Sequence, residues 1–105
     1  MSPKPISSET RTILIEDLAE AIVRLDGRDE AIRFLSDLCT PAEVHTLAER
    51  WHVARLLNDG ELTYREIHEE TGVSTTTIVR VARFLRGEDN GGYRTLLNRL
   101  SEGNR

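Results

Sequence analysis

Apolar residues recur at helical spacing in successive segments of the chain, and no stretch alternates apolar and polar residues as a strand does. Capping residues, glycines and prolines separate these segments. The pattern predicts an all-α fold with six helices, over residues 8–25, 29–39, 41–58, about 63–71, about 74–86 and 93–101. Residues 1–7 are predicted to form a flexible N-terminal arm, and residues 8–105 a single helical domain.

Two of the predicted helices carry more apolar surface than one neighbour can cover. In the helix over residues 8–25, apolar positions occupy well over a third of the circumference, and the helix over residues 41–58 is apolar on several sides. The chain has 105 residues, of which 5% are aromatic, so the core of a single subunit would be thin. Oligomerisation would supply the missing burial, and we expect a homodimer.

Residues 63–86 carry the start and stop signals of two short helices joined by a tight turn. Thr63 and Glu66 have the spacing of a capping box, in which each side chain accepts the other residue's backbone N–H. Gly72 stands where the first helix ends and a positive φ is needed. Ser74 is an N-cap residue for the second helix. The segment therefore predicts a helix-turn-helix.

The residue types within this segment predict DNA binding. Four apolar positions, Ile67, Val73, Ile78 and Val81, are spaced so that two crossing helices can share a small core. In helix-turn-helix proteins the N-terminal residues of the second helix contact the bases in the major groove. Here those residues carry short hydroxyl side chains, which can bind phosphates or base edges: Ser74, Thr75, Thr76 and Thr77.

Composition restricts the remaining function classes. The net charge of −4 argues against a nonspecific nucleic-acid coat. Residues 74–87 nevertheless contain three arginines, Arg80, Arg83 and Arg86, and no acidic residue. These arginines could bind phosphate or complement the dipole at the C-terminal end of the helix.

The single Cys39 excludes an internal disulfide, and the first residues lack the apolar run of a secretory signal, so we expect a cytoplasmic protein without a membrane span.

Two other functions compete with DNA reading. Glu49 and His52 form an E-x-x-H pair, one turn after His45, which in a helix bundle could contribute to a metal site. Such a site needs a complete set of ligands, and only one such motif is present, so the sequence predicts neither a metal nor another cofactor, and no enzyme. A helical dimer that binds another protein is the remaining alternative, and the low net basicity favours it slightly.

Residues 38–85 resemble the Trp-repressor family. The similarity includes the helix start at Thr40-Pro41-Ala42-Glu43, the helix end at Leu56-Leu57, and Gly72 in the predicted turn. The later Gly91-Gly92-Tyr93-Arg94 resembles the YerC/YecD-type branch of that family. The resemblance implies a six-helix subunit in an intertwined homodimer, whose two-fold axis presents two helix-turn-helix units to double-stranded DNA.

The resemblance also implies roles for individual residues. The positions that face DNA in the family are matched here by Arg65, Ser74, Thr75, Thr76, Thr77 and Val79. The two arginines that hold the indole ring of the family's corepressor are matched by Arg50 and Arg80. Val81 and Phe84 stand where Trp repressor has glycine and serine, and their bulk predicts that this ligand pocket no longer accepts L-tryptophan. We therefore expect a sequence-specific transcriptional repressor whose effector, if any, the sequence does not identify.

Overall fold

The computed structural model describes residues 4–87 and 90–103 of the chain. Within these residues every regular element is an α-helix, and the predicted all-α class is confirmed. The helices are α1 (Ser8–Val23), α2 (Gly27–Leu38), α3 (Pro41–Asp59), α4 (Tyr64–Thr71), α5 (Thr75–Arg86) and α6 (Gly92–Gly103). Residues 1–3 of the predicted arm lie outside the described residues, and residues 4–7 precede α1 without regular structure.

The boundary between α1 and α2 differs from the prediction. α1 ends at Val23, two residues early, because the next backbone N–H groups bond three residues back: Arg24 to Ala21 and Leu25 to Ile22, both at 3.2 Å. α2 begins at Gly27, ahead of the predicted Asp29. There the carboxylate of Glu30 accepts the backbone N–H of Asp26 at 3.0 Å, which satisfies a donor at the start of the helix.

The chain divides into two compact units, residues 1–40 and residues 41–105. The first unit contains α1 and α2, and no residue of either helix is buried. Its large apolar side chains are exposed instead, and they include Ile13, Leu14, Ile15, Leu18, Ile22, Val23, Ile32 and Leu38. The prediction of one domain over residues 8–105 stays a prediction.

The second unit has a hydrophobic core centred on α5. This helix packs against α3, α4 and α6, and α3 also packs against α6. The four apolar residues that the sequence assigns to a shared core, Ile67, Val73, Ile78 and Val81, are all buried. The complete core also contains Val53, Ala54, Leu57, Ala82, Leu85 and Leu97. Among the described residues, no helix has both the length and the apolar character that crossing a bilayer requires.

Candidate nucleic-acid interface

The turn between α4 and α5 has the local structure that its sequence predicts. Thr63 and Glu66 form the complete capping box at the start of α4, with hydrogen bonds of 3.1 and 3.0 Å. The hydrogen bond that the Thr63 backbone N–H donates to the Glu66 carboxylate, and then the Thr63 side chain, lower the pKa of Glu66 below its usual value. Gly72 ends α4 with φ 75°, a left-handed conformation that favours glycine.

Side chains of α4 fix the turn beyond what the caps provide. Thr71 donates its hydroxyl to the carbonyl of Ile67 at 2.6 Å and accepts the backbone N–H of Val73 at 3.1 Å. The Nδ1 atom of His68 lies 2.7 Å from the carbonyl oxygen of Val73, so it is Nδ1 that carries the donated proton. This contact joins α4 to the turn that precedes α5.

The N-terminal turn of α5 presents hydroxyl groups in two different states. Ser74 accepts the backbone N–H of Thr77 at 3.2 Å and donates its hydroxyl to the Thr77 side chain at 3.0 Å. Ser74 is thus the predicted N-cap. Thr75 and Thr76 are exposed, and neither side chain hydrogen-bonds to any described residue. Val79, one turn further on, is also exposed.

Arg65 lies on α4 with its side chain 88% exposed, and its Nε donates to Glu69 at 3.1 Å. An exposed ion pair of this kind contributes little to stability, because solvent screens both charges. The guanidinium can therefore exchange Glu69 for a stronger anion such as a phosphate.

The C-terminal end of α5 is joined to the start of α4 by a contact that the sequence did not predict. Arg86 donates from Nη1 to the hydroxyl of Tyr64 at 2.5 Å, and its guanidinium carbon lies 5.6 Å from the centre of the Tyr64 ring. These residues are 22 positions apart. Only the crossing of the two helices brings them together, so no local sequence pattern could have predicted the contact.

The predicted ligand-pocket residues are only partly gathered. Arg80, Val81 and Phe84 line a pocket of about 420 Å³, together with Trp51, Asn90, Gly92, Tyr93 and Leu96. The guanidinium of Arg80 lies 4.7 Å from the centre of the Phe84 ring, within cation–π distance. Arg50 does not line this pocket. Its Nε is buried and has no hydrogen-bond partner among the described residues.

Two rings that the sequence analysis did not assign to this pocket form one of its walls. Trp51 of α3 and Tyr93 of α6 have ring centres 6.4 Å apart and planes 17° from parallel.

Within residues 4–87 and 90–103, no three His, Cys, Asp or Glu side chains come together as a metal site would require. The pair Glu49 and His52 thus has no third such ligand within the described chain.

Two capped helices joined by a tight turn, with an exposed polar start to the second helix, define a helix-turn-helix DNA-binding unit. The chain belongs to the Trp repressor family. The model of that family, described as Trp repressor protein, matches residues 14–101. Members of this family are DNA-binding transcriptional regulators, and DNA binding and dimerisation are general among them.

Named relatives and a solved structure agree with this assignment. The chain is 43% identical over 88 residues to YerC of Bacillus subtilis (strain 168), covering 84% of this chain and 83% of that protein. It is 38% identical over 74 residues to a Trp operon repressor homolog of Chlamydia trachomatis serovar L2, covering 67% and 79%. The crystal structure of a TrpR-like protein from Eubacterium eligens ATCC 27750 superposes with a TM-score of 0.79 at 40% identity, covering 90% of this chain and 96% of that one.

Proposed function

We propose that this protein is a sequence-specific transcriptional repressor that binds double-stranded DNA as a homodimer and does so without L-tryptophan. The observation that carries the DNA-reading role is the exposed start of α5. Thr75 and Thr76 have hydroxyl groups with no partner among the described residues, on a helix that the Ser74 cap holds in place. Short hydroxyl side chains at this position can bind base edges directly or through water.

A selection from random DNA tests the reading role. Wild-type protein should enrich a defined duplex from a random-sequence pool, and genome-wide mapping of the native protein should return the same sequence. Replacing Thr75, Thr76 and Thr77 together by alanine should abolish the preference. Thr95→Ala is the matched control, because Thr95 is an exposed threonine on α6. Retained sequence preference in the triple variant would refute the assignment of these threonines to base contacts. Binding to a protein but to no DNA would favour the alternative, a helical dimer that binds another protein.

The exposed apolar surface of α1 and α2 supports the homodimer. Large apolar side chains, among them Leu14, Ile15 and Ile22, are exposed in the single chain, and neither helix contains a buried residue. So many large exposed apolar side chains on two helices mark an interaction site. We assign it to a second copy of the chain, which would create the shared core that one subunit lacks.

The contacts of Arg80 and Phe84 support independence from L-tryptophan. Arg80 is stacked on Phe84 within its own chain, and Val81 is a buried part of the core. Arg50 does not line the pocket that Arg80, Val81 and Phe84 share, so the two arginines that the resemblance assigns to the indole ring are not gathered around one pocket. Calorimetric titration of the unmodified protein with L-tryptophan should therefore show no binding. The double change Val81→Gly with Phe84→Ser should open the site, with some loss of packing. Tight L-tryptophan binding that is required for DNA binding would refute this part of the proposal.

A further inference from the structure

The three arginines of α5 are in different situations. Arg80 lies over the Phe84 ring at 4.7 Å. Arg86 lies over the Tyr64 ring and donates a hydrogen bond to its hydroxyl. Both guanidinium groups are thus held by aromatic side chains of their own subunit, which restricts the directions in which they can reach for a ligand.

Arg83 is exposed, and its side chain has no hydrogen bond, ion pair or ring contact with any described residue. There is also no acidic residue in α5 that could pair with it. A guanidinium in this state keeps its donors for an external anion, and its planar fork of donors matches phosphate and carboxylate groups best.

The position of Arg83 on the helix places it on the same face as the proposed base contacts. The opposite face of α5 is buried through Ile78, Val81, Ala82 and Leu85. Arg83 follows Thr76 by seven residues, which in an α-helix is within about 20° of two full turns. The two residues are therefore in line on the exposed face, about 10 Å apart along the axis.

This spacing points to the DNA backbone. The major groove is about 12 Å wide, so a residue about 10 Å from a base-reading position lies near the groove wall, where the phosphates are. We propose that Arg83 is the arginine of α5 that binds a DNA phosphate, and that Arg80 and Arg86 act within the subunit. This inference rests on the proposed DNA-binding function.

The salt dependence of binding measures the phosphate contact. The probe is the duplex that wild-type protein enriches from the random pool, with affinity determined between about 50 and 200 mM KCl. A plot of log affinity against log salt concentration has a negative slope. Arg83→Gln should make this slope shallower by about 0.9 for each helix-turn-helix bound. At 0.1 M salt this corresponds to an affinity loss of about eightfold per contact. Arg83→Lys keeps the charge and should restore most of the slope.

Arg86→Gln is the matched control, because it removes one charge from the same helix. It should keep the wild-type slope and lower the unfolding temperature, because it removes the Tyr64 contact. A wild-type slope in Arg83→Gln, or an equal decrease in the Arg86→Gln control, would overturn the Arg83 assignment while the DNA-binding function stands. If wild-type protein enriches no duplex, the proposed function itself fails, and the Arg83 assignment fails with it.

Discussion

The two compact units of this chain differ in whether their apolar residues are buried. In residues 41–105, Ile67 and Ile78 are fully buried in a core to which α3, α4, α5 and α6 all contribute. In residues 1–40, Ile15 is 68% exposed and Leu14 50% exposed, although both lie on a well-formed helix. An apolar face on a helix thus indicates that another surface packs against it. It does not indicate whether that surface belongs to the same chain. The difference is what we expect if one unit has its own core and the other acquires one on association.

The largest expected effect lies in the unit with its own core. Ile78→Ala should lower the free energy of unfolding by about 2 to 5 kcal/mol, because the removed atoms are fully buried and leave a cavity. Chemical denaturation followed by circular dichroism measures the loss. A decrease below about 1 kcal/mol would mean that this core is not well packed.

A substitution in the other unit sharpens the comparison. Leu14→Ala should cost about 1.5 to 3 kcal/mol if a second copy covers this side chain. The stability of both wild type and variant should fall on dilution, because the stability of an obligate dimer depends on subunit concentration. Asp17→Ala, on the same helix, is the control. If Leu14→Ala changes stability by less than about 0.5 kcal/mol, as exposed sites usually do, the face is not an interface.

Loss of a cap should have an intermediate effect. Thr63→Ala removes the side chain that accepts the Glu66 backbone N–H, and should cost about 1 kcal/mol. Thr63→Ser is the control, because serine keeps the hydroxyl that accepts the backbone N–H. Equal stabilities of Thr63→Ala and Thr63→Ser would show that the capping box is unimportant for holding α4.

The smallest effect concerns pH. Hydrogen bonds from Thr63 lower the pKa of Glu66 in the folded state. The stability that this carboxylate contributes is therefore present above its unfolded pKa and is lost as pH falls through its folded pKa. Nuclear magnetic resonance titration should show the lowered pKa. In Thr63→Ala it should rise only in part, because the backbone N–H of residue 63 remains. An unchanged pKa in that variant would show that the threonine hydroxyl is not involved.

Local features of the fold could be predicted from the sequence, because each depends on a few neighbouring residues. Thr63, Gly72 and Ser74 have the predicted cap and turn conformations. The contacts of Arg86 with Tyr64 and of Trp51 with Tyr93 could not be predicted, because they depend on how distant helices cross. The roles of the DNA-facing and ligand-pocket residues stay predictions.

We propose above all that a second copy of the chain covers the apolar surface of α1 and α2. Sedimentation equilibrium over a wide range of micromolar concentrations tests it most directly, with circular dichroism recorded on the same samples. We expect a dimer throughout this range, and on adding denaturant the helical signal of α1 and α2 should be lost together with the dimer. A stable, fully helical monomer would contradict the shared core and, with it, the proposal that two helix-turn-helix units bind DNA together.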